Sequence, residues 1–413
     1  MRAGRAKTLA VNLLVAVVST SVVYLAIEFL VFPRILPMMP LDRHVDLHEG
    51  IRVLAQSSKA GTVPRDYVAI VGDSYAQGAG DWLMEVDHGR NPPHNVTHLL
   101  RERLGRDVVT FGASGAGSLR GLVAEPASQL GFANASFLFD LEAPKAFVVF
   151  FYEGNDLDDN LRDVSTRYEG ELEPGAPIDA SAFGRFMEET VVGGDPLMVE
   201  ARDFAWHQNL FLANFAYRTA RRIARVMIRG EEAYAPPPPE WHPGPVNLAV
   251  VGGEVVDIPD VLQGPALELS DAEIELAVDV FGRALAFLAE RYPSSAVGVV
   301  YLPSPLSSYE IASSTVSCQT YHGREGIYPT ELAVERSDRV ARLVADASER
   351  SGCAFVDARR HLRRASADAL VHGPKDWKHY NRVGLEALAD SIVELLSDLG
   401  TFERGDDPGT RAP

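Results

Sequence analysis

Short apolar runs and longer amphipathic stretches alternate along most of this chain. Runs of four to seven residues that are rich in β-branched and aromatic side chains are typical of buried strands. Five such runs, separated by stretches with helical spacing, lie at 68–71, 107–111, 145–151, 296–302 and 354–357. Strands that alternate with helices predict a parallel sheet with right-handed crossovers. We therefore expect an α/β fold with a five-stranded parallel sheet between two layers of helices.

The stretches between these strands carry the spacing expected of helices. Ser270 and Glu273 form a capping box that opens a predicted helix ending near Arg291. Further helices are predicted at 95–104, 118–130, 329–351 and 382–399.

Residues 157–264 interrupt this rhythm. Segment 203–229 has apolar, aromatic and basic residues at helical spacing, which favours a cap helix packed on the domain over a helix on a membrane surface. A predicted hairpin at 247–258 turns at Gly252 and Gly253. We interpret 157–264 as an insertion or lid that sets substrate specificity.

The N-terminus carries an uncharged run, Thr8 to Ile27, that is long enough to cross a bilayer. Basic residues precede the run, and Glu28 follows it. The positive-inside rule then places the N-terminus in the cytoplasm and everything after Phe32 outside it, in the periplasm if the source is bacterial. A cleaved signal peptide is the alternative, although the run is longer than a usual signal sequence and lacks a clear cleavage site. The basic residues are Arg2, Arg5 and Lys7.

These patterns divide the chain into four parts. They are a cytoplasmic stub and transmembrane anchor at 1–33, a juxtamembrane linker at 34–65, the α/β domain at 66–400, and a polar, disordered tail at 401–413.

The composition narrows the classes of partner. With 413 residues, 46% hydrophobic and 23% charged, the chain can bury one large core or two modest ones. A formal net charge of -18 argues against nucleic acid or an anionic lipid surface as its main partner. Cys318 and Cys353 could pair in an oxidising compartment, and a free buried thiol at Cys353 is about equally consistent with its strand context.

Polar turns follow the first three predicted strands. Gly72-Asp73-Ser74 follows the first, a glycine-rich turn with Gly115 follows the second, and Asn155 and Asp156 follow the third. The carboxyl ends of parallel strands share one edge of a sheet, so these turns are expected to converge there. Each motif alone is also an ordinary capped turn, and only their convergence supports a nucleophilic serine.

A serine nucleophile needs a base, a group that orients the base, and donors for the oxyanion. His379 lies just before the last predicted helix and follows Asp376 by three residues, a spacing that lets the carboxylate reach the imidazole. As an isolated pair, Asp-x-x-His is common, and a solvated loop would be the favoured interpretation.

Other candidate sites carry weaker signals. His88, His94 and His98 lack a convincing metal-ligand pattern and are expected to be surface residues. The glycines at 112–117 do not have the order of a dinucleotide fingerprint, and the chain has no phosphate loop, so no cofactor or metal is expected. Ser304, between two prolines, is interpreted as part of a rigid turn.

Taken together, the four motifs resemble those of the SGNH/GDSL hydrolase superfamily, over roughly residues 66–157 and 296–398. This resemblance implies a flavodoxin-like architecture, Ser74 as nucleophile, His379 as base and Asp376 as its orienting partner. It also implies an oxyanion hole formed by the backbone N–H groups of Gly115 and Ser74 and by the Asn155 side chain.

The resemblance implies a serine esterase that cleaves an O-acyl ester. Given the predicted location, the expected substrate is an acylated small molecule or glycan, such as an O-acetylated extracytoplasmic polysaccharide. Two alternatives stay open: an O-acyltransferase with the same three residues, and a non-catalytic carbohydrate-binding or assembly protein.

Overall fold

The computed structural model describes residues 2–39, 47–55, 58–78, 95–136, 138–168, 178–229, 243–319 and 325–400. Its strands are β1 (Val68–Val71), β2 (Val108–Thr110), β3 (Ala146–Tyr152), β4 (Pro243–Val251), β5 (Glu254–Pro259), β6 (Leu262–Gln263), β7 (Ala296–Leu302), β8 (Glu310–Ile311), β9 (Thr315–Gln319), β10 (Glu325–Pro329) and β11 (Ala354–Asp357).

A five-stranded parallel sheet forms the centre of the molecule, with the strand order β11-β7-β3-β1-β2. When these strands alone are numbered along the chain, the order is 2-1-3-4-5, which is that of flavodoxin-like folds. The predicted five-stranded α/β sheet is therefore confirmed. Two of its strands differ slightly from the prediction, since β2 is one residue shorter at each end and β3 ends one residue later.

Alternate residues of each sheet strand enter two separate hydrophobic clusters. In β1, Ala69 and Val71 belong to one cluster, while Val68 and Ile70 belong to the other. Successive strand side chains point to opposite faces, so helices must cover both faces of this sheet. This explains why its strands have continuous apolar runs instead of polar alternation.

The α-helices are α1 (Arg2–Ala26), α2 (Phe32–Ile35), α3 (Ser74–Gln77), α4 (Val96–Leu104), α5 (Glu125–Ala135), α6 (Asp156–Arg167), α7 (Ala180–Arg185), α8 (Pro196–Arg202), α9 (Phe211–Arg229), α10 (Asp271–Arg291), α11 (Pro305–Ser308), α12 (Thr330–Arg350), α13 (Arg359–Ser366) and α14 (Arg382–Asp398). π-helical turns occur at Ile27–Val31, Leu119–Ala124 and Phe186–Val192, and 3₁₀ turns at Leu36–Met38, Glu49–Ala55 and Trp206–Asn209.

Helices α10, α12 and α14 agree closely with their predicted bounds, and both hydrogen bonds of the Ser270 capping box are present. The predicted helix at 118–130 is instead a π-helical turn followed by α5. Gly121 lies in this turn, where a Cβ atom would approach Gly72 O to 3.0 Å. The helix thus passes directly over the backbone that precedes Ser74.

The segment 157–264 is only partly a peripheral insertion. Side chains of α7 and the π-turn that follows it, including Phe183 and Val191, are buried in the cluster on one face of the sheet. The predicted hairpin is present as β4 and β5, and Gly252 and Gly253 adopt the positive φ angles that its turn requires. Two further three-stranded sheets have the strand orders β5-β4-β8 and β10-β9-β6.

The prediction of a packed cap helix at 203–229 was wrong for the second half of the segment. Helix α9 begins only at Phe211, which is buried against Phe139. In its second half Ile223, Met227 and Ile228 are 52%, 81% and 82% exposed. Helical spacing cannot by itself show whether a domain surface is present to cover the apolar face.

The N-terminal helix is long and apolar enough to cross a membrane, and only 6% of its most apolar window is buried. A signal sequence meets the same criterion. The structure continues helically into the predicted linker, where Leu36 and Ile51 pack in the core. The predicted tail at 401–413 lies outside the described residues.

Candidate active site

Ser74 is the first residue of α3, immediately beyond β1 and the Gly72-Asp73 turn. The Asp73 carboxylate caps the helix by accepting the Tyr75 N–H at 2.9 Å. Gly72 has a φ of 140°, and a Cβ atom there would lie 3.1 Å from Phe150 O, so a larger residue would be strained in this turn. The local sequence thus fixes the half-buried Ser74 side chain at the carboxyl edge of the sheet.

A chain of hydrogen bonds joins Ser74 to the loop before α14. His379 Nε2 is 2.9 Å from Ser74 Oγ, and His379 Nδ1 is 2.7 Å from Asp376 Oδ2. The structure therefore brings together three sequence-predicted residues across 305 positions of sequence. Both ring nitrogens of the half-buried His379 are engaged, so the imidazole is held between the carboxylate and the hydroxyl.

The charge of Asp376 is stabilised locally. Burial alone would raise the pKa of this carboxyl group. Hydrogen bonds and charge interaction with His379, together with the Lys378 backbone N–H at 2.8 Å, outweigh burial and hold the pKa below its usual value. Asp376 is therefore ionised at neutral pH and accepts the Nδ1–H of His379.

Asn381 holds the loop that carries His379. Its side-chain oxygen caps α14 by accepting the backbone N–H groups of Val383 and Gly384 at 3.0 and 3.2 Å. Its Nδ2 donates to the carbonyls of Leu370, His372 and Gly373 at 2.9–3.2 Å. Sequence reasoning missed this role, although an asparagine directly before a predicted helix is a recognisable N-cap.

Gly115 lies in the turn after β2, which packs against α3. Ala113 N donates to Gly72 O at 3.1 Å, and Ser114 N donates to Gln77 Oε1 at 2.8 Å. Gly115 itself has a φ of 67° and open space where a Cβ atom would be. The structure thus places this glycine at the same edge as Ser74, exposed and free of steric contact.

Asn155 is the N-terminal residue of α6, beyond the end of β3. Its side chain interacts with the Asp73 carboxylate and lowers the pKa of that group. Its buried Oδ1 has no hydrogen-bond partner among the described residues. In the described part of the chain, no hydrogen bond links Gly115 or Asn155 to the Ser74 hydroxyl.

Two buried carboxyl groups lie beneath the site. Burial raises the pKa of Asp73 and, together with the charge of Asp73, raises the pKa of Asp156 well above its usual value. Asp156 Oδ2 accepts the Tyr152 N–H at 2.8 Å, which ties the end of β3 to the start of α6. Because two neighbouring buried carboxylates repel each other, the pair favours uptake of a proton.

The sequence analysis missed a cluster of three tyrosines beside the imidazole, in which Tyr75 contacts the His379 ring. The Tyr75 ring lies 4.9 Å from the rings of both His379 and Tyr380 and 4.6 Å from that of Tyr152. The Tyr75 hydroxyl donates to Lys378 O, and the Tyr152 hydroxyl is 2.8 Å from Gln263 Oε1. Tyr75 and Tyr380 directly follow Ser74 and His379, and this adjacency was the available signal.

Ser304 has the structural role expected from its sequence. It is fully buried, and both its N–H and its hydroxyl donate to Glu153 Oε1, at 2.8 and 2.7 Å. Ser337 and Tyr301 donate to the other Glu153 oxygen. This buried carboxylate therefore fixes the turn between β3 and Asn155 to the end of β7.

The remaining candidates lie elsewhere. His98 Nδ1 is 2.9 Å from Ser58 Oγ, whereas His88 and His94 lie outside the described residues. Within the described ranges no group of three or more His, Cys, Asp or Glu side chains could hold a metal ion. Cys318 and Cys353 are both buried, free thiols.

No family model and no curated protein matches the chain. Similar solved structures include the extracellular lipase from Streptomyces rimosus, at 12% identity and a TM-score of 0.37 over 80% of this chain and 99% of that one. They also include phospholipase A1 from Streptomyces albidoflavus NA297, at 15% identity and a TM-score of 0.36 over 81% and 99% of the two chains. A carbohydrate acetylesterase family member from Sinorhizobium meliloti matches at 12% identity and a TM-score of 0.30, over 81% and 99%. Likenesses this distant do not specify an activity for the present chain.

Proposed function

We propose that this protein is a serine esterase that cleaves O-acyl esters. The observation that carries the proposal is the hydrogen-bonded series from Ser74 Oγ through His379 to Asp376, with distances of 2.9 and 2.7 Å. A serine hydroxyl needs a base within hydrogen-bond reach, and the base needs a partner that fixes its tautomer. Both requirements are met at the carboxyl edge of the sheet.

In the proposed reaction, Ser74 Oγ attacks the ester carbonyl carbon while its proton passes to His379 Nε2. The tetrahedral intermediate collapses as the C–O bond to the alcohol breaks, and His379 returns the proton to the departing alkoxide. Water then repeats the sequence on the acyl-enzyme, which releases the carboxylic acid and restores Ser74. The ionised Asp376 keeps the Nδ1 proton on His379 and stabilises the imidazolium between these steps.

Donors for the oxyanion complete the proposal. The backbone N–H groups of Ser74 and Gly115 and the Asn155 side chain are assigned this role. Support comes from the position of Gly115 and Asn155 at the ends of β2 and β3, the strands that flank β1. Asn155 is not engaged in capping α6, since its side chain makes no capping hydrogen bond.

We further propose that the enzyme is anchored by α1, with the N-terminus in the cytoplasm and the α/β domain outside. The exposed apolar helix and the basic residues before it support this placement. An extracytoplasmic site favours O-acyl groups, such as acetyl, on exported glycans as the substrate to test first. A C-terminal alkaline phosphatase fusion that is inactive in intact cells would contradict the topology.

The activity is tested with full-length protein in detergent, by measuring hydrolysis of p-nitrophenyl acetate and release of acetate from an O-acetylated polysaccharide. Ser74→Ala is expected to abolish turnover, whereas Ser165→Ala, at an exposed position of α6, keeps the wild-type rate. Equal rates for Ser74→Ala and wild type would overturn the proposal. Transfer of the acyl group to an added glycan, instead of to water, would replace hydrolysis by acyl transfer as the function.

A further inference from the structure

Helix α9 leaves the domain with an apolar face uncovered. Ile223 and Met227 are four residues apart and share this face with Ala216 and Ala220, which are also exposed. Tyr217 and Ile228 border it and are 65% and 82% exposed. An exposed apolar face of this length on a soluble surface carries a large cost unless something covers it.

The opposite face of α9 is strongly basic. The helix contains five arginines and no acidic residue, in a chain whose formal net charge is -18. Arg221 and Arg225 are exposed and lie on the face opposite Ile223 and Met227, as the spacing of 100° per residue requires. A concentration of positive charge in an otherwise acidic protein points to an anionic partner for this helix alone.

The start of α9 is fixed to the end of the candidate anchor. Glu28 directly follows the uncharged run of α1 and is buried. Its carboxylate accepts the backbone N–H groups of Leu212 and Ala213, at 2.7 and 3.3 Å, in the first turn of α9. The Phe32 and Phe215 rings, 6.3 Å apart, extend this contact.

This attachment determines where the N-terminus of α9 lies relative to the bilayer. If α1 spans a bilayer, the first charged residue after its apolar run lies in the headgroup region. The hydrogen bonds to Glu28 therefore hold the N-terminus of α9 at the membrane surface. Beyond Phe215, the exposed side chains of Ala216, Ala220, Ile223 and Met227 then lie next to lipid.

We propose that α9 lies along the outer surface of the membrane that holds α1, with Ile223 and Met227 among the acyl chains and with Arg221 and Arg225 on anionic lipid headgroups. Basic amphipathic helices bind in this way, because burial of the apolar face and attraction to anionic headgroups act together. The inference rests on the proposed anchor. It assigns a second membrane contact that fixes the orientation of the catalytic domain relative to the bilayer.

The test uses full-length protein in nanodiscs of phosphatidylcholine with or without phosphatidylglycerol. A bimane label is placed at Met227→Cys, at Val17→Cys within α1, or at Ile327→Cys, an exposed apolar site on β10. Lipids with a nitroxide near the headgroup or deep in the acyl chain then report the depth of each label by quenching. The native cysteines are buried, so background labelling is low.

Shallow nitroxides are expected to quench the Met227 label at least about twofold more than the Ile327 label, and more strongly in anionic discs. The double variant Arg221→Gln/Arg225→Gln should lose this dependence on phosphatidylglycerol. Equal quenching at Met227 and Ile327, with the Val17 label quenched by deep nitroxides, overturns the inference and leaves the anchor intact. Absence of quenching of the Val17 label refutes the anchor itself. Quenching of the Met227 label that disappears on dilution with unlabelled protein assigns the apolar face of α9 to contact with a second copy of the chain. An unaltered lipid dependence in the double variant refutes the role of the arginines.

Discussion

Glu153 provides a sharp test of how the site is supported. Its side chain is fully buried and accepts four hydrogen bonds, two at Oε1 from Ser304 and two at Oε2 from Ser337 and Tyr301. The substitution Glu153→Gln keeps the shape and removes the charge. It also replaces one acceptor oxygen by an NH₂ group that faces two donors. The Ser304 backbone N–H cannot reverse its role, so the NH₂ group must face the two hydroxyls and turn them into acceptors.

The magnitude follows from the number of bonds. A hydrogen bond to a charged group contributes about 1.5–3 kcal/mol, and a neutral one about 0.5–1.5 kcal/mol. Converting four charge-assisted bonds would cost about 4–6 kcal/mol, and relief of the desolvation cost of the charge offsets part of this. We expect Glu153→Gln to lower the free energy of unfolding by about 2–4 kcal/mol.

The assay is thermal and chemical unfolding of the full-length protein in detergent. The midpoint should fall by roughly 4–8 °C. Glu335→Gln makes the same chemical change at an exposed position on α12 and should alter stability by less than about 0.5 kcal/mol. If the two variants were equally stable, the carboxylate network would not support the turn before Asn155.

Three further predictions concern the site itself. Asp376→Asn should lower kcat by about 10³–10⁴-fold in the esterase assay, because the amide donates to His379 Nδ1 and leaves Nε2 protonated; a loss below tenfold would contradict the orienting role. Asn381→Ala should lower kcat about tenfold or more with KM nearly unchanged, and should reduce the free energy of unfolding by about 1–2 kcal/mol. A change in KM alone would show that the loop does not position the base. Asp156→Asn should remove a decrease in wild-type stability with rising pH. A carboxyl group whose pKa is raised on folding binds its proton more tightly in the folded protein. The free energy of unfolding therefore falls by up to about 1.4 kcal/mol per pH unit above the pKa of the unfolded state. If urea unfolding gave parallel pH profiles for wild type and variant, the assignment would be refuted.

The central sheet could be predicted from the sequence because each strand is buried on both faces and therefore has a continuous apolar run. The long helices α10, α12 and α14 were also found, since their spacing and caps are local signals. The surroundings of the apolar face of α9 could not be predicted, because amphipathic spacing is the same whether the domain, a membrane or solvent lies against that face. The burial of Phe183 and Val191 in the main core was likewise invisible to local patterns.

The predicted site residues Ser74, His379 and Asp376 are hydrogen-bonded in the structure, and their roles stay predictions until activity is measured. They were accessible from sequence because each lies in a short polar motif beside a strand or helix. Tyr75 was missed because its contacts with Lys378 and His379 join segments far apart in sequence, whereas Asn381 was missed although its contacts are local. No local pattern tells which tyrosine ring will pack against an imidazole, or which asparagine will donate to three carbonyls.

The most direct test of the central claim is covalent labelling of Ser74. A fluorophosphonate reacts with a serine only when a base activates the hydroxyl, and peptide mass spectrometry locates the adduct. The wild-type protein should carry a single adduct on the peptide that contains Ser74, and His379→Gln should slow its formation by at least about a hundredfold. An unlabelled Ser74 in folded wild-type protein, or labelling at the same rate without His379, would contradict the account.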